Sequence, residues 1–159
     1  MAGYIKFDGI DGESLDKEHK GWSDIISFEQ RIHKPGTGTG VYRRRADVVF
    51  DDIVVSKAVD KASPKLAERV ANGKVFSKVE IHVTRSYTDK GRQTYLIYEL
   101  ENVQVLSYDI NGACQSADVP TEELSLNFEK IKVVYKEAGA DGKEKGQVDY
   151  SWKVEEGES

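Results

Sequence analysis

The residues that could do chemistry are most concentrated in "HKPGTGTGVYRRR", residues 33 to 45. Glycine-rich backbone can cradle a phosphate, and consecutive arginines can bind the phosphates of nucleic acids. A P-loop needs G-x-x-x-x-G-K-[ST], but counting from Gly36 places Val41 where the second glycine belongs. The G-x-G-x-x-G fingerprint of dinucleotide sites fails as well, because Val41 or Arg43 replaces its last glycine. The spacing therefore favours an extended loop over a phosphate site.

The three arginines of this stretch, Arg43, Arg44 and Arg45, are the strongest basic cluster in the chain. Neighbouring residues of an extended segment point to opposite faces, so three in a row do not line one groove. The whole chain has 23 basic and 28 acidic residues and a formal net charge of -5, which argues against a general nucleic-acid binder. We expect a solvated loop, or ion pairs with an acidic neighbouring chain.

The three histidines lack the spacing of a metal site. None of His19, His33 and His82 has a histidine or cysteine two or four residues away, so no zinc pattern is present. His19 follows an acidic turn, and His82 falls on the polar face of a predicted strand. We interpret both as surface histidines.

Neither the single cysteine nor the adjacent carboxylates form a catalytic pattern. Cys114 lies among turn residues with no recognisable base, and we interpret it as a small loop residue. Asp51 and Asp52 would point to opposite faces of a strand, so a bulge or turn explains them better than a carboxylate dyad. No catalytic residue, cofactor site or metal site is predicted. An enzyme using His82 or Cys114 is the least favoured function.

The elements around these residues are mostly strands. In "KVEIHVTRSY", Val79, Ile81 and Val83 alternate with polar residues, which is typical of a strand with one buried face. "QVDYSWKVE" predicts a second dry face through Val148, Tyr150, Trp152 and Val154. The other predicted strands are "YIKFDGI", "DIISFEQRIH", "ADVVFDDIVVSKAV", "RQTYLIYELENVQVLSYDI" and "ELSLNFEKIKVVYK".

Two strand segments carry irregularities. In residues 124 to 135 the apolar parity flips near Glu129 and Lys130, which predicts a β-bulge. The long segment that contains Asn102 is expected to bend there.

One segment, "DKASPKLAERVANGK", predicts a helix over about residues 63–72. Ser63 is the expected N-cap, Pro64 opens the first turn, and Gly73 supplies the left-handed stop. Leu66 and Val70 are four residues apart and can face the core together.

These patterns predict a mainly β protein with a single domain over residues 1–159. Seven or more strands usually close into a barrel or a sandwich, because open edges invite aggregation, and we favour a closed barrel with one short α-helix on its flank. One cysteine excludes an internal disulfide and indicates a reducing compartment. The N-terminus has no signal-peptide pattern, and no apolar run reaches the roughly 18 residues of a membrane span.

Several ordered segments resemble one family. These are "YIKFDGIDGESLDKEHKGWSDIISFEQ", "VSKAVDKASPKLAERVANGKVFSKVEIHV" with its Lys-x-x-Asp-Lys-x-Ser-Pro run, "YLIYELENVQVLSYDI", "EELSLNFEKIKVVY" and "YSWKV". The family is the haemolysin-coregulated protein, Hcp, the tail-tube protein of type VI secretion systems. The similarity spans nearly the whole chain.

The resemblance implies a structural role without catalysis or cofactor. Family members form homo-hexameric rings that stack into a tube, which a contractile sheath drives out of the cell behind a VgrG-type spike protein. The channel can hold small effector proteins. The resemblance therefore implies cytoplasmic assembly and then secretion through the type VI machine without a signal peptide, with no nucleic-acid or membrane partner. The chain ends at "VEEGES", from which we expect no C-terminal toxin extension.

The resemblance also assigns a role to the opening stretch. The resemblance implies a two-sheet β-barrel with one short α-helix, in which a long extended loop between strands 2 and 3 reaches a neighbouring subunit or ring. The corresponding residues here are Lys34, Pro35, Gly36, Thr37, Gly38, Thr39, Gly40, Val41, Tyr42, Arg43, Arg44 and Arg45. The alternative function is a monomeric small β-barrel that binds a ligand or nucleic acid.

Overall fold

Alternating apolar residues form an eight-stranded antiparallel sheet and a separate two-stranded ladder in this computed structural model, which describes residues 1–34, 48–87, 91–139 and 143–154. Gly36 to Arg45 and Pro35 lie outside the described residues, and Lys34 is the one residue of the predicted interface loop within them. The elements are β1 (Ala2–Phe7), β2 (Ser23–Glu29), β3 (Ile32–His33), β4 (Val49–Phe50), β5 (Ile53–Ala58), α1 (Ser63–Asn72), β6 (Phe76–Tyr87), β7 (Gly91–Asn111), β8 (Thr121–Asn127), β9 (Lys130–Ala138) and β10 (Glu144–Lys153).

The long strand β7 closes the sheet into a barrel. One side of β7 pairs with β6, while its other side pairs with β9 along the first half and with β8 along the second half. Because β8 also pairs with β5, the strands β1, β2, β5, β6, β7 and β8 form a closed ring. We call the remaining hairpin, β9 and β10, the wing, because it extends the sheet from β7 without joining the closed ring. The mainly β barrel with one short helix is therefore confirmed.

The two halves of β7 meet at Asn102, where the sequence predicts a bend. Asn102 has a left-handed φ of 52°, and β7 changes its partner strand at this point. The β-bulge predicted near Glu129 is wrong, since the segment divides there into the separate strands β8 and β9. The backbone N–H of Glu129 donates to Glu101 O at 3.1 Å, and Asn102 Nδ2 donates to Glu129 Oε2 at 2.7 Å. These bonds hold the connection between β8 and β9 against β7 at the point where β7 changes its partner strand.

The core fills the barrel and the space beneath the helix. Its side chains are fully enclosed because each strand of the barrel points every second residue inward. Members with no exposed surface are Ile53, Val55, Leu66, Val79, Ile81, Leu100, Val103, Leu124, Leu126 and Ile131. Burying an aliphatic side chain of this size stabilises the fold by about 1.5–3 kcal/mol.

Helix α1 packs on β7 and begins and ends at the predicted residues. Leu66 is buried and Val70 packs against the core, while Gly73 ends the helix with a φ of 68°. The predicted cap is wrong, because Ala62 occupies the N-cap position and Ser63 makes no capping bond. Ser63 Oγ instead accepts the backbone N–H of Asp60 and donates to a buried carboxylate. Within the described parts of the chain, no helix has the length and apolarity to span a bilayer.

Candidate functional site

The predicted interface loop leaves the barrel through a short antiparallel ladder. Ile32 pairs with Phe50 and His33 pairs with Val49, so the chain leaves and returns at one place. We call these four residues the arm root. Ile32 and Val49 are partly exposed, at 44% and 36% of their surface. Lys34, which follows the ladder, is exposed as well.

The arm root is anchored to the barrel by aromatic contacts and charge. The Phe50 ring stacks on Trp152 with centroids 6.1 Å apart and meets Phe128 edge-on at 6.4 Å. Asp51 Oδ2 lies 3.8 Å from both Arg31 Nε and His33 Nδ1, and the Asp51 N–H donates to Arg31 O at 3.0 Å. These contacts hold the base of the loop against β10.

Asp51 and Asp52 interrupt the strand pattern, as predicted. They separate β4 from β5, and Asp52 Oδ1 accepts from Asn127 Nδ2 at 3.1 Å, away from the partners of Asp51. The two carboxylates therefore do not act on a common point.

On the wing, much of a strand face that the sequence predicts to be buried is exposed. Val148 pairs with Tyr135, and Tyr150 lies two residues further along the same face. At the other end of this face Trp152 packs on the core, but Val148 is 71% exposed, Tyr135 43% and Tyr150 41%. We call these three side chains the wing face. It is an apolar strand face that continues past the core of its own chain.

A buried ion cluster lies at the start of the helix. Lys57 comes from β5 and Glu122 from β8, and neither side chain has exposed surface. Lys57 Nζ donates to Glu122 Oε1, to Asp60 Oδ1 at 3.0 Å and to Ala58 O at 3.0 Å, so all three N–H bonds are used. Ser63 Oγ donates to Glu122 Oε1 at 3.0 Å. The Lys-x-x-Asp-Lys-x-Ser-Pro run therefore joins the end of β5 and the start of α1 to β8.

The cluster affects the neighbouring tyrosine. Burial, reinforced by the Glu122 carboxylate, raises the pKa of Tyr108 to about 12. Asp60 Oδ2 also accepts from Ser23 Oγ at 2.8 Å, which ties the cluster to β2. The cluster joins the helix start to β2, β5 and β8 through Lys57, Asp60, Ser63 and Glu122 Oε1, while Glu122 Oε2 is buried with no hydrogen-bond partner.

A second polar cluster forms where residues 11 to 22 cross the outside of β1 and β6. His19 Nε2 lies 3.0 Å from His82 Nδ1, His19 Nδ1 lies 2.6 Å from Asp16 Oδ2, and His82 Nε2 lies 3.1 Å from Glu80 Oε2. The interpretation of His19 as a surface residue is wrong, since it is 2% exposed. His82 is also mostly covered, with 18% of its side chain exposed.

Hydrogen bonds set the protonation of the two carboxylates in this cluster. The bond from His19 lowers the pKa of Asp16, and the bond from His82 lowers the pKa of Glu80 to about 2. Lys78 Nζ, 2.7 Å from Glu80 Oε1, adds to the second shift. Both carboxylates are therefore ionised at neutral pH.

Cys114 is the last residue considered as a catalytic candidate. Cys114 is exposed in the connection between β7 and β8, as the sequence suggests. Across the four described ranges, no group of three or more His, Cys, Asp or Glu residues is arranged to hold a metal ion.

Sequence reasoning missed both polar clusters. The i+3 spacing of Lys57, Asp60 and Ser63 was a visible signal, because a strand end followed by a helix start can bring such residues together. The contact between His19 and His82 spans 63 positions, and no local pattern predicts it.

Comparisons with known proteins agree with this architecture. The sequence profile of a family described as "Type VI secretion system effector, Hcp" matches residues 4–135. The curated "Protein hcp1" of Pseudomonas aeruginosa is 29% identical over 153 residues, which are 95% of this chain and 93% of that protein.

Solved structures extend the agreement to the fold. The structure of a type six secretion system protein superposes with a TM-score of 0.88 at 26% identity, covering 99% of this chain and 98% of that chain. The crystal structure of Hcp1 from Salmonella typhimurium has a TM-score of 0.80 at 23% identity, covering 99% and 97%, which shows a shared fold. With a family profile matched over residues 4–135, this chain belongs to the Hcp family of type VI secretion systems.

Proposed function

We propose that this protein is a structural tail-tube subunit of a type VI secretion system. Six copies form a ring, rings stack into a tube, and the machine secretes the tube from the cytoplasm behind a VgrG-type spike inside a contractile sheath. The channel carries small effector proteins, and the chain, a single domain over residues 1–159, performs no catalysis. Membership of the Hcp family supports this role, and the wing face is the structural observation that carries the assembly.

The wing face and the edge beside it have the properties of a subunit contact. Val148 exposes 71% of its surface on a strand whose outer edge has no partner within the described sheet. An open edge with apolar side chains promotes association unless another chain covers it. A ring needs two different surfaces that meet head to tail around the rotation axis. The wing supplies one of these surfaces.

The second contact is the loop of residues 34–45. The predicted second strand corresponds to β2 and β3 and the predicted third strand corresponds to β4 and β5, so the loop follows β3 and precedes β4 in the sequence. The arm root supports its role, because the ladder holds both ends of the loop at one exposed place. Gly36, Gly38 and Gly40 allow backbone conformations that a docking partner selects. Arg43 to Arg45 have a natural counterpart in an acidic patch of another subunit, in a chain with net charge -5.

The wing is tested by one charge placed on either of its faces. Val148→Lys puts an ammonium on the wing face, and Gln147→Lys puts the same charge on the neighbouring, opposite face of β10. Both positions are exposed, so both variants should fold as the parent does. We expect V148K to abolish the ring in light scattering coupled to size exclusion and Q147K to retain it. Rings formed equally by both variants would contradict the role of the wing.

The loop is tested by deletion of residues 36–45. The variant should keep the thermal transition of the barrel and lose ring or tube assembly, because the deletion begins and ends outside the ladder of the arm root. Intact assembly after deletion would remove the loop from the interface. Monomers of the parent protein at high concentration, with salt-sensitive ligand binding lost on replacing Arg43 to Arg45 by alanine, would instead support the monomeric binding module.

A further inference from the structure

Two imidazoles meet end to end in this structure, and the proposed tube function does not use them. His19 and His82 form the middle of a chain of three contacts that runs from Asp16 to Glu80. The contacts are 2.6, 3.0 and 3.1 Å long, all within hydrogen-bond distance. The four nitrogens of the two rings therefore all take part.

The three hydrogen bonds from Asp16 to Glu80 need more protons than two neutral imidazoles carry. An ionised carboxylate only accepts hydrogen bonds, so each imidazole must direct one N–H to its own carboxylate. His19 Nε2 and His82 Nδ1 then face each other at 3.0 Å, and without a proton between them two lone pairs would repel. Three contacts need three protons, whereas two neutral imidazoles carry two.

We propose that His19 and His82 share a third proton as an imidazole–imidazolium pair, which acts as a pH-sensitive latch holding residues 11–22 against β1 and β6. Loss of the shared proton leaves two lone pairs in contact. Gain of a fourth proton places two N–H groups and two positive charges in contact. Either change breaks the bond between the rings.

The charges around the two imidazoles favour one positive charge on the pair and oppose a second. The ionisable groups that face it or its carboxylates are Asp16 and Glu18 of the crossing segment, Lys78 and Glu80 of β6, Arg92 of β7, Lys136 of β9 and Tyr4 of β1. Arg92 is held in place by its bond to the Tyr4 hydroxyl, at 3.0 Å. The three carboxylates offset the single positive charge of the pair. Arg92 and Lys136 oppose a second one.

The segment that the latch holds is packed around the pair. The His19 ring stacks on Tyr4 with centroids 4.3 Å apart and planes 9° apart, and its edge contacts Trp22 at 4.9 Å. Gly12 N donates to Gly21 O at 2.8 Å and Ser14 N to Trp22 O at 2.8 Å, which close the segment on itself. Breaking the bond between the imidazoles therefore weakens the attachment of the segment to β6, where the Trp22 ring also contacts His82 with centroids 4.4 Å apart.

The direction of the pH effect follows from the proton count. Two imidazoles in an unfolded chain titrate near pH 6.5 and together hold three protons there, one more than two neutral rings and the same number as the latch. Above this pH the folded chain holds more protons than the unfolded chain, so stability falls as pH rises. Below this pH the unfolded chain holds more, so stability falls as pH falls. The latch contribution to stability therefore peaks near pH 6.5.

Proton linkage also gives the size of the peak. If the folded pair keeps one shared proton, the unfolding equilibrium constant rises about threefold one pH unit to either side of the peak. Two units away, it rises about 25-fold. These factors are the contribution of the two imidazoles to the pH dependence of the parent protein.

The direct test is nitrogen NMR of the imidazoles in the intact protein at pH 6.5. Three of the four ring nitrogens of His19 and His82 should carry protons, with the third shared between Nε2 and Nδ1. Two protonated nitrogens, or four, would overturn the proposal. This measurement needs no variant.

A pair of variants tests the latch through stability. His82→Asn keeps an amide near the Nδ1 position but has no second ring to titrate, so the peak near pH 6.5 should disappear. His33→Gln, at the histidine outside the cluster, should keep it. A peak that persists in H82N, or one that disappears in H33Q, would assign the pH dependence to other groups.

Discussion

Replacing Lys57 by methionine should be among the most damaging single changes outside the apolar core. The side chains of Lys57 and Glu122 have no exposed surface, and Lys57 Nζ satisfies three oxygens at once. Methionine fills much of the space of the lysine stem, so the loss of packing is small. What remains is a buried Glu122 carboxylate that has lost its cation.

The magnitude follows from this complete burial. An exposed ion pair contributes at most about 1 kcal/mol, whereas removing one partner of a buried pair costs about 3–5 kcal/mol. The second range applies, because neither side chain of the pair meets solvent. With a urea dependence of about 2 kcal/mol per molar, typical of small proteins, the unfolding midpoint should fall by about 2 M.

Urea unfolding followed by tryptophan fluorescence measures this loss, at two protein concentrations to separate unfolding from dissociation. The matched control is Lys65→Met, which breaks an ion pair to Glu68 at 3.4 Å whose side chains are 67% and 59% exposed. The control should lose less than about 0.5 kcal/mol. The double variant Lys57→Met with Glu122→Leu should recover most of the loss, because an apolar pair replaces the orphaned charge.

A loss below about 1 kcal/mol in K57M, or a loss equal to that of the control, would contradict the cost assigned to the buried ion pair. It would mean that water reaches the pair or that Glu122 finds another partner. Failure of the double variant to recover would place the cost in packing rather than charge.

Three further predictions concern a close contact and two shifted groups. Gly12→Ala should cost about 1–3 kcal/mol, because its Cβ would lie 2.6 Å from Trp22 O, while Gly146→Ala, with nothing within 4 Å, should be nearly neutral; thermal unfolding compares the two. The pKa of Glu80 is lowered from 4.5 to about 2, so its contribution to stability is present above pH 4.5 and is lost as the pH falls towards 2. Glu80→Gln should remove that part of the acid sensitivity, which unfolding curves between these two pH values measure. The pKa of Tyr108 is raised from 10 to about 12, so its contribution to stability is present below pH 10 and is lost as the pH rises towards 12. Tyr108→Phe should flatten the dependence of stability on pH in that window. An unchanged dependence would contradict the raised pKa of Tyr108.

The elements that sequence reasoning predicted correctly are those set by local pattern. The helix from Ser63 to Asn72 follows from Pro64 at its start and Gly73 at its end, because both residues restrict the backbone where they stand. The strand β6 follows from the alternation of Val79, Ile81 and Val83, all of which are buried. Such signals need no knowledge of distant residues.

What the sequence did not show depends on contacts between distant segments. The dry face predicted for β10 is half exposed, because alternation marks a face as apolar without saying which chain covers it. His19 was interpreted as a surface residue because nothing nearby in sequence reveals Tyr4, Trp22 and His82 around it. The cap predicted at Ser63 failed because Ala62 is the N-cap residue, and Ser63 Oγ accepts from the Asp60 N–H and donates to Glu122, 59 positions away.

We propose that this chain assembles into the rings of a type VI secretion tube. Negative-stain electron microscopy of the purified protein, with its mass from light scattering, tests this assembly most directly. We expect rings with a stain-filled centre and a mass about six times that of one chain. Uniform small particles with the mass of one chain at high concentration would contradict it.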